Sequence, residues 1–512
     1  MNSITKSKRS LKADTLFQSV SVAVLLAIVC RLVGFGRGIV LTRMLSPEQL
    51  GTWALIANAT ALLAFLCTLG LPSGLARYTE RFRGGGHLSN LLLTTLLRAG
   101  VVTIVVCALA SFLWPSTGGL LFGDQSNAAL VWITLGAVAA TVLLSLVQGI
   151  LQGLRLFRLN SALELAQNLS FLLLVVVLFG CFTASAYLAA WASLLTTFVV
   201  ALLVGFWIYR RMDTSGQLAT PEASSTPMLW WPVLTYSLGA WGAGSLQALW
   251  RVIDRYMLLH LSSASAAETL DQIGQYYIAS KMGGPLGALA GVVSMALLPH
   301  AAKLWESGKR QEVCHIVRAA TKLLILMMTF GGALLLALKY WLIPLVVGRD
   351  AMLTIAIFGP VLLTVIAVSV HFMLRTYLMC HEKPWSVTWI WVVTLAANAG
   401  LNCLLIPRYE LLGAAWATML SGGLAVALTA LCSHWTGMAI GRRLVLCLCL
   451  PAVLLLPPVG MAALLFLVAL ATHFTDWILN EQEKQLINQT CADRMGRIFK
   501  AANGATPDPV AA

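Results

Sequence analysis

Charge is what this sequence has least of. Only 11% of its 512 residues are charged, and Asp and Glu together number 20, whereas a soluble globular chain is about a quarter charged. So few ionic groups cannot coat a water-facing surface of this size. That excludes a soluble enzyme, a nucleic-acid binder and a disordered chain, despite a net charge of +14. No G-x-x-x-x-G-K-[ST] occurs, so no P-loop ATPase is built in. The 11 cysteines include no C-x-x-C pair and no Cys/His group at ligand spacing, and no metal or other cofactor is expected. Cys30, Cys67, Cys107, Cys181 and Cys403 lie within apolar runs, where cysteine serves as a small apolar residue.

What is present is hydrocarbon. Apolar residues make up 59% of the chain, the mean hydropathy is +0.83, and runs such as 171–180 and 188–209 are almost unbroken. A helix needs roughly 20 apolar residues to cross about 30 Å of hydrocarbon. About fourteen stretches qualify, which predicts an all-α polytopic membrane protein. Arg31 and Arg37 interrupt the first stretch and no small-residue cleavage site precedes them, so it reads as an uncleaved span. The last two stretches are short and meet at Leu456-Pro457-Pro458-Val459-Gly460, which suits either two spans or one re-entrant hairpin. The expected boundaries are a tail at 1–15, an N-lobe of six spans at 16–210, and a Ser/Thr/Pro-rich linker at 211–229. A C-lobe of six spans at 230–433 follows, then two further helices at 434–476 and a tail at 477–512 with amphipathic spacing at its start.

The basic residues orient the chain. With the N-terminus in the cytoplasm, the inner side receives Lys6–Lys12, Arg77–Arg83, Arg155, Arg158, Arg210 and Arg211. It also receives Lys303–Lys322, Arg375, Lys383, Arg442, Arg443 and the tail cations Lys484–Lys500. The outer side keeps only Arg43, Lys339, Arg349 and Arg408 of the 34. Both termini are therefore expected in the cytoplasm. An internal repeat is also visible. Ala189-Ala-Trp-Ala-Ser193 recurs as Ala414-Ala-Trp-Ala-Thr418, Gly51-Thr-Trp53 as Gly274-Gln-Tyr276, and Pro72 as Pro299, all at nearly one offset. Six spans per half is even, so the halves point the same way, a common build for secondary transporters with a site between them near the midplane.

Six cations fall inside spans: Arg31, Arg37, Arg98, Arg251, Arg255 and Lys281. Each costs at least about 2.5–3.5 kcal/mol at the bilayer centre on insertion scales. Only Asp254, with Glu164 near the inner end of the fifth span, stands against them. Pairing cannot neutralise that excess, and a water-filled cavity that receives an anion can. Arg31, Arg37, Lys281, Arg255 and Arg98 are the candidate substrate-binding cations. Arg251, Asp254, Glu164 and His371 are candidates for coupling or gating, and Asp254 can pair with Arg251 at i,i+3. Snorkelling and structural ion pairs are the bland alternative.

Arg31-x5-Arg37 followed by Leu41-Thr-Arg-Met-Leu-Ser-Pro-Glu-Gln-Leu-Gly51 resembles the first span and loop of Wzx-type polysaccharide flippases. These belong to the multidrug/oligosaccharidyl-lipid/polysaccharide exporter superfamily. Gln152-Gly-Leu-Arg-Leu-Phe-Arg158, Asp254-Arg-Tyr-Met257, Gly274-x-Tyr-x-x-Ala279 with Pro285 and Pro299, and Ile406-Pro-Arg-Tyr-x-x-Leu412-Gly-Ala-Ala-Trp-Ala-Thr418 continue the resemblance in order. It implies a two-lobed bundle in the bacterial cytoplasmic membrane. By alternating access it would move an undecaprenyl-pyrophosphate-linked oligosaccharide to the outer leaflet, driven by an H⁺ or Na⁺ gradient or the membrane potential. Arg31 and Arg37 match cavity cations of these flippases, and Lys281 stands at an eighth-span position often occupied by Arg. Membrane lipids and the glycan polymerase and glycosyltransferases of the same pathway are the implied partners. Spans thirteen and fourteen match poorly. The rival readings are a multidrug exporter of the same superfamily, a peptidoglycan-precursor flippase, a major-facilitator anion or sugar transporter, and a non-transporting scaffold of glycan assembly.

Overall fold

A computed structural model describes residues 16–75, 79, 88–123, 127–154, 156–214, 226–348, 351–381 and 384–474. The tails at 1–15 and 477–512 and most of the 211–229 linker lie outside the described residues. Every regular element among those described is helical: α1 Leu16–Met44, α2 Pro47–Thr68, α3 Leu88–Phe112, α4 Trp114–Phe122, α5 Ala128–Gly153, α6 Phe157–Cys181 and α7 Ala186–Thr214 form the first half. The second half holds α8 Thr226–Leu261, α9 Ala266–Glu306, α10 Arg310–Val347, α11 Met352–Cys380 and α12 Pro384–Trp435. The chain then runs through α13 Arg442–Cys449, a 3₁₀ segment Leu450–Leu455 and α14 Pro458–Phe474.

Eight described helices are long and apolar enough to cross a membrane: α2, α3, α5, α6, α7, α10, α11 and α12. The long helices outside that set, α1, α8 and α9, carry Arg31, Arg37, Arg251, Asp254, Arg255 and Lys281, while Arg98 is on α3 and Glu164 on α6. α12 supplies two spans, because Glu410 takes φ 50°, ψ −129° and turns the chain back. The return is tight: a Cβ at Gly413 would stand 2.4 Å from the Leu405 carbonyl oxygen, so only glycine fits. The perimeter is hydrocarbon, with Leu97, Val101, Ile104 and Phe112 of α3 exposed beside Phe206 and Trp341. A soluble protein does not leave so much apolar surface bare.

Local sequence explains the helix ends. Ser46 caps α2 by accepting a hydrogen bond from Gln49 N (3.2 Å), with Pro47 in the first turn. Asn127 does the same for α5 through Leu130 N (2.8 Å). Within the helices, buried hydroxyls donate to the carbonyl one turn back. Examples are Thr42 to Gly38 (2.8 Å), Thr134 to Leu130 (2.7 Å) and Thr329 to Ile325 (2.7 Å).

The halves are built alike. In the first, α1 packs on α6, α2 on α5, and α5 on α7; in the second, α8 packs on α12, α9 on α11, and α11 on α12. Shifting the first pattern by six spans reproduces the second. The lobes meet along α2 with α9 and α8, and along α1 with α9. The pseudo-repeated glycines sit at this seam. A Cβ on Gly51 would stand 2.0 Å from the Leu270 carbonyl oxygen, and one on Gly274 2.6 Å from that of Pro47. The end of the bundle where Gly51 and Gly274 meet is the far face. The end where α8 and α10 begin is the basic face. Arg43 closes the far face further, its guanidinium donating to the carbonyls of Val346 (3.2 Å) and Leu345.

The segment Arg442–Leu455 is short: at ordinary rises it spans about 24 Å, against about 30 Å of hydrocarbon.

Candidate functional site

Three cations from three helices converge between the lobes. Arg37 of α1 lies over the Phe171 ring at 5.1 Å, and its Nη1 donates to Asn168 Oδ1 at 3.2 Å. Asn168 is itself oriented by donating its amide to the Glu164 carbonyl (2.9 Å). Arg255 of α8 lies over Tyr276 at 4.8 Å and donates to the Arg251 carbonyl (2.9 Å) and Ser280 Oγ (3.2 Å). Lys281 of α9 holds its ammonium 5.1 Å from the Tyr277 ring. Lys281, Arg37 and Arg255 all lie within electrostatic reach of the Tyr277 hydroxyl, and Tyr276, Tyr277, Ser280 and Lys281 of α9 place Arg255 and Lys281 within about one and a half turns of each other. The Tyr277 hydroxyl also accepts a hydrogen bond from Trp53 Nε1 across the seam (3.4 Å).

α1 passes α9 at Gly38, where a Cβ would lie in ordinary contact with the Lys281 stem at 4.0 Å. Aromatic faces take the place of counter-ions: none of Arg37, Arg255 and Lys281 has a carboxylate within ion-pair distance among the described residues. The Nε atoms of Arg37 and Arg255 are buried without a hydrogen-bond partner. A buried guanidinium with an unused donor is a costly arrangement unless an anion completes it.

Arg31 lies about 9 Å nearer the basic face on the same helix. It is exposed and makes no ion pair among the described residues. Glu164 is half-buried nearby; it and Arg31 both act electrostatically on Cys30. A Cβ at Gly34 or Gly36 of α1 or at Gly284 of α9 would meet nothing within 4 Å. The α2–α8 seam is closed by Trp241 donating to the Leu66 carbonyl (3.2 Å) and by Gly70 against Ser237. Arg98 is elsewhere, on the exposed apolar face of α3 among Leu97 and Val101.

The pairing of Asp254 with Arg251 that the spacing permits is not formed. Asp254 is buried and accepts from three neutral donors: Thr418 Oγ1 (2.6 Å), Tyr276 OH (2.9 Å) and Asn402 Nδ2 (3.4 Å). Asn398, Ser421 and Trp250 extend this network. Arg251 instead turns to Phe372 (6.0 Å), whose ring also carries Arg375 at 4.3 Å. Arg375 is thus a member of the inter-helical cation set that its place near a loop concealed. His371 is buried against Trp391 (4.9 Å) with Nδ1 2.8 Å from Thr429 Oγ1. It lies within the C-lobe and away from the three-cation site. Of the rings that frame the cations, Phe171 and Tyr277 gave no signal in the sequence because aromatic residues in an apolar run read as packing, and Tyr276 stood out only as a repeat and motif position.

The sequence of residues 16–305 matches the family described as Polysaccharide biosynthesis protein. The chain belongs to that family. No curated protein matches the sequence. Among solved structures, the lipid II flippase MurJ in an inward closed conformation is similar at TM-score 0.67 and 13% identity, covering 94% of this chain and 99% of that one. An inward-facing multidrug resistance MATE family transporter of the MOP superfamily is similar at TM-score 0.62 and 11% identity, covering 82% and 100%. The Vibrio cholerae MATE transporter VcmN gives TM-score 0.55 at 14% identity, covering 82% and 96%. The family member described here therefore has the fold of that superfamily, a multi-pass membrane protein whose neighbours are transporters and flippases rather than enzymes. The motif resemblance to polysaccharide flippases is in accord with both findings.

Proposed function

We propose that this protein is a flippase that moves a polyprenyl-pyrophosphate-linked oligosaccharide across the bacterial cytoplasmic membrane by alternating access. The observation that carries the reading is the Arg37–Arg255–Lys281 site, cationic, framed by aromatic rings and with no carboxylate in ion-pair distance of the three among the described residues. A pyrophosphate is a compact multivalent anion that guanidinium forks grip well. The polyprenyl tail stays in lipid while the headgroup enters between α1 and α9, past the exposed Arg31 and the unobstructed Gly34, Gly36 and Gly284.

The basic face is then cytoplasmic by the positive-inside rule. The far face is closed at Gly51, Gly274 and Arg43, the arrangement required to load cargo from the cytoplasm. Release would need that seam to part. Asp254 is a fitting place for coupling: a buried carboxylate held by neutral donors can take up a proton or a monovalent cation without rebuilding its surroundings. A multidrug exporter for cationic drugs would place carboxylates, not three cations, between the lobes.

The test is translocation of a fluorescent undecaprenyl-pyrophosphate-linked oligosaccharide in proteoliposomes without ATP. Transport that is lost in Arg37→Ala and Lys281→Ala supports the reading. Transport equal to the parent in both variants would overturn it.

A further inference from the structure

A second basic site lies at the basic face, lined by none of the central cations. A cavity of about 330 Å³ is lined by His315, Arg318 and Lys322 of α10 and by Gly441, Arg442, Arg443 and Leu444 at the start of α13. No carboxylate lines it among the described residues. Arg318 is fixed in place, donating from Nε to the Cys314 carbonyl (3.1 Å) and from Nη1 to that of Ala439 (3.1 Å). These bonds tie α10 to the 436–441 connection, which Tyr377 also holds through the Thr436 carbonyl (3.0 Å). Lys322 is buried, whereas Arg442, Arg443 and His315 are exposed at the mouth. α13 begins at Gly441 with no side-chain cap, so its first N–H groups point into a region already rich in cations.

Depth says what fills it. Lys322 immediately precedes the apolar run starting at Leu323, and Arg443 immediately precedes the one starting at Leu444. The cavity therefore lies at the border between hydrocarbon and headgroups. Anchoring by snorkelling would need only exposed side chains. It would not need a buried lysine, a doubly tethered arginine and an uncapped helix start around one hollow. We propose that this cavity binds the phosphate group of an anionic lipid, with the acyl chains lying against α10 and α13–α14. The site is separate from the central cations, and its ligand is not the cargo.

The purified full-length protein in detergent is incubated with phosphatidylglycerol, phosphatidylcholine or inorganic phosphate, and bound lipid is read by native mass spectrometry alongside thermal unfolding. Phosphatidylglycerol is expected to be retained about tenfold over phosphatidylcholine, a difference of about 1.4 kcal/mol. That preference should vanish in Arg442→Gln/Arg443→Gln, whose exposed side chains leave folding intact by circular dichroism, and persist in Arg37→Ala. Competition by inorganic phosphate would show that the site takes the free ion as well as the lipid headgroup; absence of competition assigns the lipid alone. Equal retention of both lipids without phosphate stabilisation, or undiminished binding in the double variant, overturns the proposal.

Discussion

Arg37 shows how one side chain can be held ready for a ligand. Its ring contact with Phe171 and its bond to Asn168 fix the guanidinium while leaving Nε unused. Arg37→Ala should lower translocation by about ten- to hundredfold, the worth of charge-assisted hydrogen bonds at roughly 1.5–3 kcal/mol. Arg37→Lys should recover part of it, since charge survives but the fork does not. Asp254 tests a different role. Asp254→Ala would strand the Thr418, Tyr276 and Asn402 donors, at about 1–3 kcal/mol each, and should lower thermal stability. Asp254→Asn keeps most of that network but cannot change charge. It should fold normally and lose the dependence of transport on an imposed H⁺ or Na⁺ gradient; a retained dependence would remove Asp254 from coupling. Arg37, Arg255 and Lys281 were legible in the sequence because a charge inside a hydrocarbon run has few explanations. Arg375 was not, since a cation six residues from a loop has a cheaper reading as an anchor. Arg251 shows the limit of spacing: i,i+3 makes a pair possible, and burial of Asp254 among neutral donors decides against it.

Among the helices, the α2–α9 seam depends on two glycines. With a Cβ at 51 or 274 meeting carbonyl oxygen well inside contact distance, Gly51→Ala or Gly274→Ala must push the far ends of α2 and α9 apart. Spin labels at the exposed Glu48 and Glu268, in a background with the native cysteines replaced, should show a longer distance in either variant. An unchanged distance would mean the helices yield elsewhere. The two positions were found from sequence as a repeat, yet a repeat does not say that its copies touch. The two-fold relation of the lobes brings them together.

The bend in α12 carries a pH prediction. Burial pushes the Glu410 carboxyl up, but hydrogen bonds from the Ser262 and Ser263 hydroxyls and the Ser263 N–H outweigh it and hold it below the ordinary value of 4.5. A carboxyl depressed in the folded state stabilises at pH above its unfolded value and loses that contribution as pH falls through the folded one. Thermal stability of Glu410→Gln should therefore fall less than that of the parent on acidification from about pH 5. Parallel curves would show that the bend does not depend on this charge.

At the scale of the whole molecule, the all-α polytopic fold class followed from runs of apolar residues. The closing segments read two ways because Leu456-Pro457-Pro458-Val459-Gly460 suits a hairpin or a break between spans, and the structure places the helix break at Leu456 and Pro457, between the 3₁₀ segment and α14. The segment Arg442–Leu455, α13 and its 3₁₀ continuation, is about 6 Å shorter than a typical hydrocarbon core. Lipid beside it must thin, or its ends must reach outward, at a fraction of a kcal/mol per Å. The protein therefore carries a local hydrophobic mismatch beside full-length apolar helices such as α3. A transporter so unevenly matched should work best in bilayers of intermediate thickness. In proteoliposomes of graded acyl length, its rate should pass through a maximum, and the annulus next to α13 should be enriched in short or unsaturated chains.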